Sequence, residues 1–243
     1  MKKKYSQVTY ILLAVVIFGS LVIAAVSSNG TRGQNTDPQS AAAVDERRAL
    51  VDAIRRGGYR EAARIKGHYV GTFDPHWDWV QLDIESLAKN SEAIVVGTPS
   101  KNLGGHLAAG GQSIATDFEM TVQEVIKGDI RQGSNIKVTL PGGRVNFEDG
   151  TSAEIKATGF EPMVEGKTYT LFLYKEKTDS DAFSLVAGPQ GLFGTAASDQ
   201  KVKAHGRPTD PATEETKDKT TESFLIEIRK QAQKWPQPKK CCD

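Results

Sequence analysis

An uncharged apolar run near the amino terminus is the feature that most restricts what this chain can fold into. Three lysines at positions 2–4 are followed by 17 residues without charge, Tyr10 to Val26. A basic segment before an apolar one is typical of an export leader, whose apolar part usually has ~7–15 residues, whereas a spanning helix needs about 20 and at least about 17. Residues 1–28 are therefore predicted to be either a cleaved signal peptide or a retained membrane anchor.

Both alternatives place the rest of the chain outside the cytoplasm, because positive residues stay on the cytoplasmic side. We expect a protein that is anchored in the membrane through residues 10–26, or secreted or periplasmic if the leader is cleaved. Loss of residues 1–28 would remove three lysines and no acid, which changes the formal charge from +1 to −2. A nearly neutral chain does not attract nucleic acid, so no such partner is expected.

Helical patterns precede the first strands. Residues 29–42 are small and polar, which is typical of a flexible linker. Within residues 43–91 the apolar residues recur at helical spacing as far as Lys66, with an interruption at Gly57-Gly58. An aromatic-rich loop follows, and Asp83 can cap a further short helix.

From residue 92 the apolar period changes to that of strands. At least five alternating segments, separated by turns with glycine or proline, fall within residues 92–197. This spacing predicts a small antiparallel OB-like β-barrel in an α+β protein, with long loops at 101–115 and 142–166. The remaining chain is predicted to form an exposed loop, a C-terminal helix and a tail, at residues 198–220, 221–234 and 235–243.

Four segments of the strand-rich region carry a resemblance to a known class of modules. They are Ala93–Gly97, Val122–Asp129, Glu165–Leu173 and Gly188–Phe193. Over residues 84–195 their order resembles a bacterial extracytoplasmic module of unassigned activity, and it is similar to netrin-like and metalloproteinase-inhibitor modules. The resemblance implies an OB-type five-stranded barrel. It does not imply protease inhibition or a catalytic residue, because this region lacks the cysteines that those inhibitors use.

Asp74, His76 and Asp78 are the candidate metal ligands. In an extended segment these alternating side chains share one face, where two carboxylates and an imidazole could bind a divalent cation. The alternative is a structural loop, since Pro75 suggests a turn and the neighbouring tryptophans could cover one end of the sheet.

Two further groups of residues have side chains that could be reactive. Ser113, His106 and Asp117 contain the residue types of a hydrolytic triad, but the sequence has no nucleophile elbow around the serine. Cys241 and Cys242 can form a disulfide with each other only through a strained ring. A bond to another chain, free thiols or a tail without function remain as alternatives for these two cysteines.

The sequence thus predicts an exported envelope protein that binds a ligand or partner and is not an enzyme. OB-type barrels offer a face and loops for ligands, here the loops at 101–115 and 142–166. No cofactor is expected. The alternatives are a metal-binding protein or hydrolase that uses Asp74, His76 and Asp78, and a structural scaffold of the envelope.

Overall fold

The computed structural model describes residues 38–73, 82–176 and 182–236. The chain divides into two units, residues 1–41 and residues 42–243. The helices are α1 (Pro38–Lys66), α2 (Ile84–Asn90), α3 (Pro211–Thr216) and α4 (Thr221–Lys234). The strands are β1 (His68–Phe73), β2 (Ala93–Ala108), β3 (Ser113–Lys127), β4 (Asn135–Pro141), β5 (Gly143–Asn146), β6 (Ser152–Ala157), β7 (Tyr169–Lys175), β8 (Ala182–Leu185), β9 (Leu192–Gly194) and β10 (Lys203–Ala204).

The strands form two sheets. In the larger sheet the order is β10-β9-β7-β2-β3-β4-β8, and β8 pairs with β7 as well as with β4. Its pairs are antiparallel except for β4 and β8. The smaller sheet has the order β1-β6-β5, in which β1 and β6 are parallel. The chain is therefore α+β, with strands as its main component.

The prediction of one small antiparallel OB-like barrel over residues 92–197 was wrong. The strands form a seven-stranded and a three-stranded sheet, each with a parallel pair, and β1 and β10 lie outside that range. The predicted loops at 101–115 and 142–166 contain parts of β2 and β3 and all of β5 and β6. A period of two identifies a strand but not its partner, and the pairing of β1 with β6 joins residues more than 80 positions apart.

Helix α1 bends at Gly58, as the glycine pair predicted. Gly58 has φ +70° and ψ −163°, which is not a helical conformation. Lys66 pairs with Glu46, 20 residues earlier, so the two arms of the helix fold back toward each other. Ala62 and Ala63 in the shorter arm are completely buried.

Helices α2 and α4 lie where the sequence predicted them. The Asp83 carboxylate accepts a 2.7 Å hydrogen bond from the backbone NH of Ser86, which caps α2. The Thr220 hydroxyl accepts from the NH of Ser223 in the same way at α4. Residues 198–220 were predicted as an exposed loop, but they contain β10 and α3, and Asp210 is only 5% exposed.

Three buried apolar clusters form the core. The first lies among the strands of the larger sheet, the second joins α2, α3 and α4 to that sheet, and the third joins α1 to the smaller sheet. Their main members are Val95, Phe118, Met120 and Leu171 in the first, Leu87, Phe172, Phe193 and Phe224 in the second, and Ala63, Ile114, Val145 and Ile155 in the third.

Within the described ranges, none of the helices is both long and apolar enough to cross a lipid bilayer. The predicted fold also contained a signal or anchor helix at residues 1–28, which lie outside the described ranges.

Candidate functional site

The predicted metal and thiol residues lie outside the described part of the chain. These are Asp74, His76, Asp78, Cys241 and Cys242. Among the residues that are described, no group of three or more His, Cys, Asp or Glu side chains is arranged to hold a metal ion. The metal site and the intermolecular disulfide therefore stay predictions.

Two members of the considered triad do lie side by side. His106 on β2 and Asp117 on β3 are cross-strand neighbours, with 3.6 Å between Nδ1 and Oδ2. Asp117 also accepts a 2.7 Å hydrogen bond from the hydroxyl of Thr139. Ser113 is paired with Ala108 on the neighbouring strand, and across the described residues no hydrogen bond joins it to His106. This arrangement is a surface pair without an activated nucleophile.

An open groove of about 500 Å³ lies on the surface of the described part of the chain. It runs across β3, β4 and β8 and the turn between β3 and β4. Its apolar floor consists of Leu103, Ile130, Ile136 and Phe183. The last three are half-buried and pack against the first core cluster, so the core holds the floor in place. Leu103 is 46% exposed.

Charges of both signs border this groove. Glu119 and Asp129 are negative, whereas Arg131, Lys137 and Lys175 are positive. An apolar centre with a polar border of mixed sign is the usual composition of a surface that binds another polypeptide. The near balance of charge gives the groove no particular affinity for a polyanion.

A second depression of about 350 Å³ surrounds His205. The imidazole lies against the ring of Tyr169, with 5.8 Å between ring centroids. Lys203 and Glu161 form an ion pair of 2.6 Å at its border. Burial and the nearby charge of Lys203 lower the pKa of His205, so its imidazole is neutral at neutral pH.

A neutral imidazole in a small pocket can accept a proton or a hydrogen bond from a ligand. Catalysis would also require a nucleophile or a second free titratable group in contact with it. The other ionisable residues that line this pocket, Lys203 and Glu161, neutralise each other. The His205 pocket can therefore bind a small polar ligand, but the described residues assemble no catalytic set in it.

Each of the two loops predicted to carry ligands contributes to one depression. Leu103 from residues 101–115 lines the groove, and Phe160 and Glu161 from residues 142–166 line the His205 pocket. No sequence pattern predicted a binding role for Ile130, Ile136 or His205. Ile130 could have been found from its position directly after the Gly128-Asp129 turn. No feature of the neighbouring sequence distinguished His205.

Comparison with known proteins finds no family model that matches the chain and no curated protein with significant sequence similarity. The resemblance to netrin-like and metalloproteinase-inhibitor modules therefore stays a prediction.

Proposed function

We propose that this protein is an exported, non-catalytic binding module of the cell envelope, and that the groove across β3, β4 and β8 receives an extended segment of another polypeptide. The observation that carries this proposal is the composition of the groove. An exposed leucine and three half-buried apolar residues form its floor, and charges of both signs form its border.

An open groove suits a polypeptide better than a small molecule. Sites for small molecules enclose most of the ligand surface, whereas this groove is open to solvent along its length. Interfaces between proteins have an apolar centre and a polar border, which is the arrangement present here.

The export part of the proposal rests on the sequence. The basic and apolar leader supports delivery across a membrane, and the module resemblance supports an extracytoplasmic location. The alternatives of a metal protein that uses residues 74–78 and of an envelope scaffold remain open beside it.

Site-specific photo-crosslinking in the source cells tests the proposal. A photoreactive amino acid at position 103 should give crosslinks to a recurrent partner peptide in the envelope fraction. The matched control places the same amino acid at Ile226, which is 59% exposed on α4 and does not line the groove. Crosslinks at both positions to the same proteins, or none at position 103, would contradict a binding role for the groove.

A further inference from the structure

The longer arm of α1 carries a row of basic and apolar side chains on one face. Val44, Arg47, Arg48, Val51 and Arg55 stand at positions i, i+3, i+4, i+7 and i+11, so they lie on the same side of the helix. We call this set the basic stripe. Val44 is 59% exposed, and the three arginines are exposed as well.

The charges of this stripe are largely uncompensated. Arg47 and Arg48 make no ion pair with any described residue. Arg55 lies 4.0 Å from Asp52, and because both side chains are more than half exposed, this pair contributes little. Asp45 and Asp52 border the stripe, but their two negative charges do not fully compensate the three positive charges of its arginines.

The other acidic residues of α1 are engaged elsewhere. Glu46 pairs with Lys66, and Glu61 pairs with Arg64. The positive field of the stripe therefore reaches solvent although the chain as a whole is nearly neutral. Arginine is suited to phosphate groups, since its planar guanidinium can donate two parallel hydrogen bonds to them.

The position of the stripe in the chain points to the identity of its partner. Val44 follows Val26, the last residue of the apolar run, by 18 residues. Residues between them can extend by at most roughly 3.6 Å each. If residues 10–26 are retained in a membrane, this tether limits the stripe to the neighbourhood of the lipid surface.

We propose that the basic stripe binds the headgroups of an anionic lipid surface, with its arginines on the lipid phosphates and Val44 among the headgroups. This inference rests on the proposed export and on membrane attachment through residues 10–26. Each basic residue near an anionic membrane strengthens binding by about fivefold. Removal of all three arginines should therefore release the helix while the leader still holds the chain.

Hydrogen exchange of the full chain in lipid vesicles tests the proposal. The amides of residues 43–57 should exchange severalfold more slowly in vesicles that contain phosphatidylglycerol than in phosphatidylcholine alone. The variant Arg47→Gln, Arg48→Gln, Arg55→Gln should lose this difference and still float with the vesicles. As a matched control, Lys201→Gln, Lys217→Gln, Lys230→Gln removes the same charge from the C-terminal part and should keep the difference.

Three results would overturn the lipid contact. The first is equal exchange in both kinds of vesicle, and the second is equal loss of protection in the control variant. The third is equal protection by soluble polyglutamate, which would assign the stripe to acidic polymers in general. A chain that floats with neither kind of vesicle would overturn membrane attachment and the lipid contact together. The binding role of the groove would still be tested separately, by crosslinking at position 103.

Discussion

Burial lowers the pKa of two basic side chains, Lys127 and His205. The Lys127 ammonium is 2.7 Å from the carbonyl oxygen of Ala88 and donates a hydrogen bond to it in the last turn of α2. Lys127 is only 8% exposed, and burial lowers its pKa. The lysine thus satisfies a carbonyl that lacks a partner within the helix, at a position where the helix dipole favours positive charge.

We expect stability to depend on pH through His205. Burial, with a contribution from Lys203, lowers the pKa of His205 below its ordinary value of 6.5, although a hydrogen bond to the Glu161 backbone and the charge of Glu161 act in the opposite direction. The unfolded chain therefore binds more protons between the folded pKa and 6.5. The free energy of unfolding should fall as the pH decreases through this window.

Urea unfolding of the wild type and of His205→Gln, followed from neutral pH downward, measures this effect. The variant should show a smaller decrease in unfolding free energy because the residue that accounts for it is absent. Near-ultraviolet circular dichroism above pH 6.5 checks that both proteins have the same fold. If the free energy of unfolding decreased with pH equally in the two proteins, His205 would not be the cause of the pH dependence.

At the scale of elements, a backbone contact joins α1 to the hairpin of β2 and β3. A side chain at Gly58 would place its Cβ 2.2 Å from the carbonyl oxygen of Gly111, in the turn between these strands. A second close approach joins the same hairpin to β5, where a Cβ at Gly105 would lie 2.3 Å from the carbonyl oxygen of Arg144. The glycines of this hairpin therefore allow tight packing, whereas the sequence predicted a long loop at 101–115.

Gly58→Ala should lower the free energy of unfolding more than Gly67→Ala does. Both glycines have φ close to +70°, but no atom lies within 4 Å of a Cβ built at Gly67. Gly67→Ala should therefore cost about 1–2 kcal/mol for the left-handed backbone alone. Gly58→Ala should cost about 1–3 kcal/mol more, because the helix and the hairpin must move apart and because φ +70° with ψ −163° is a conformation that only glycine adopts readily. Chemical denaturation compares the two, and equal costs would exclude a role for the contact with Gly111.

At the scale of the whole molecule, apolar contacts attach α4 to the larger sheet. Phe193 lies between Phe172 and Phe224, with 5.7 Å and 4.8 Å between ring centroids, and the three rings are almost fully buried. Arg229 also donates two hydrogen bonds of 2.9 Å and 3.0 Å to the carboxylate of Glu124 on β3. The two side chains of that pair are 45% and 36% exposed, so water and salt weaken their attraction.

Phe224→Ala should lower the free energy of unfolding by about 3–5 kcal/mol, because it leaves a cavity in the second core cluster. Arg229→Ala on the same helix should lower it by less than about 1 kcal/mol. Thermal and urea unfolding of the two variants measure the difference. A larger loss for Arg229→Ala would mean that the ion pair, and not the aromatic contact, attaches the helix.

Local patterns were sufficient for some elements of this protein. The break in α1 at the glycine pair, the start of α2 after Asp83 and the position of α4 depend on interactions between residues within four positions of each other. The prediction of loops at 101–115 and 142–166 was wrong because the strands there contain few apolar residues. These strands are stabilised by pairing with strands elsewhere in the chain. Leu103 of the groove, and Phe160 and Glu161 of the His205 pocket, lay in segments that were expected to bind.

The sequence by itself determined the export leader pattern, the near balance of charge, and the helix caps and breaks, since each depends on neighbouring residues. Tertiary structure alone decided which strands pair, how they divide into two sheets, and that Leu103, Ile130, Ile136 and Phe183 form one groove. The physical reason is that strand pairing and grooves join residues far apart in the chain. The free energy of such contacts depends on the packing of the whole core, which no local period encodes.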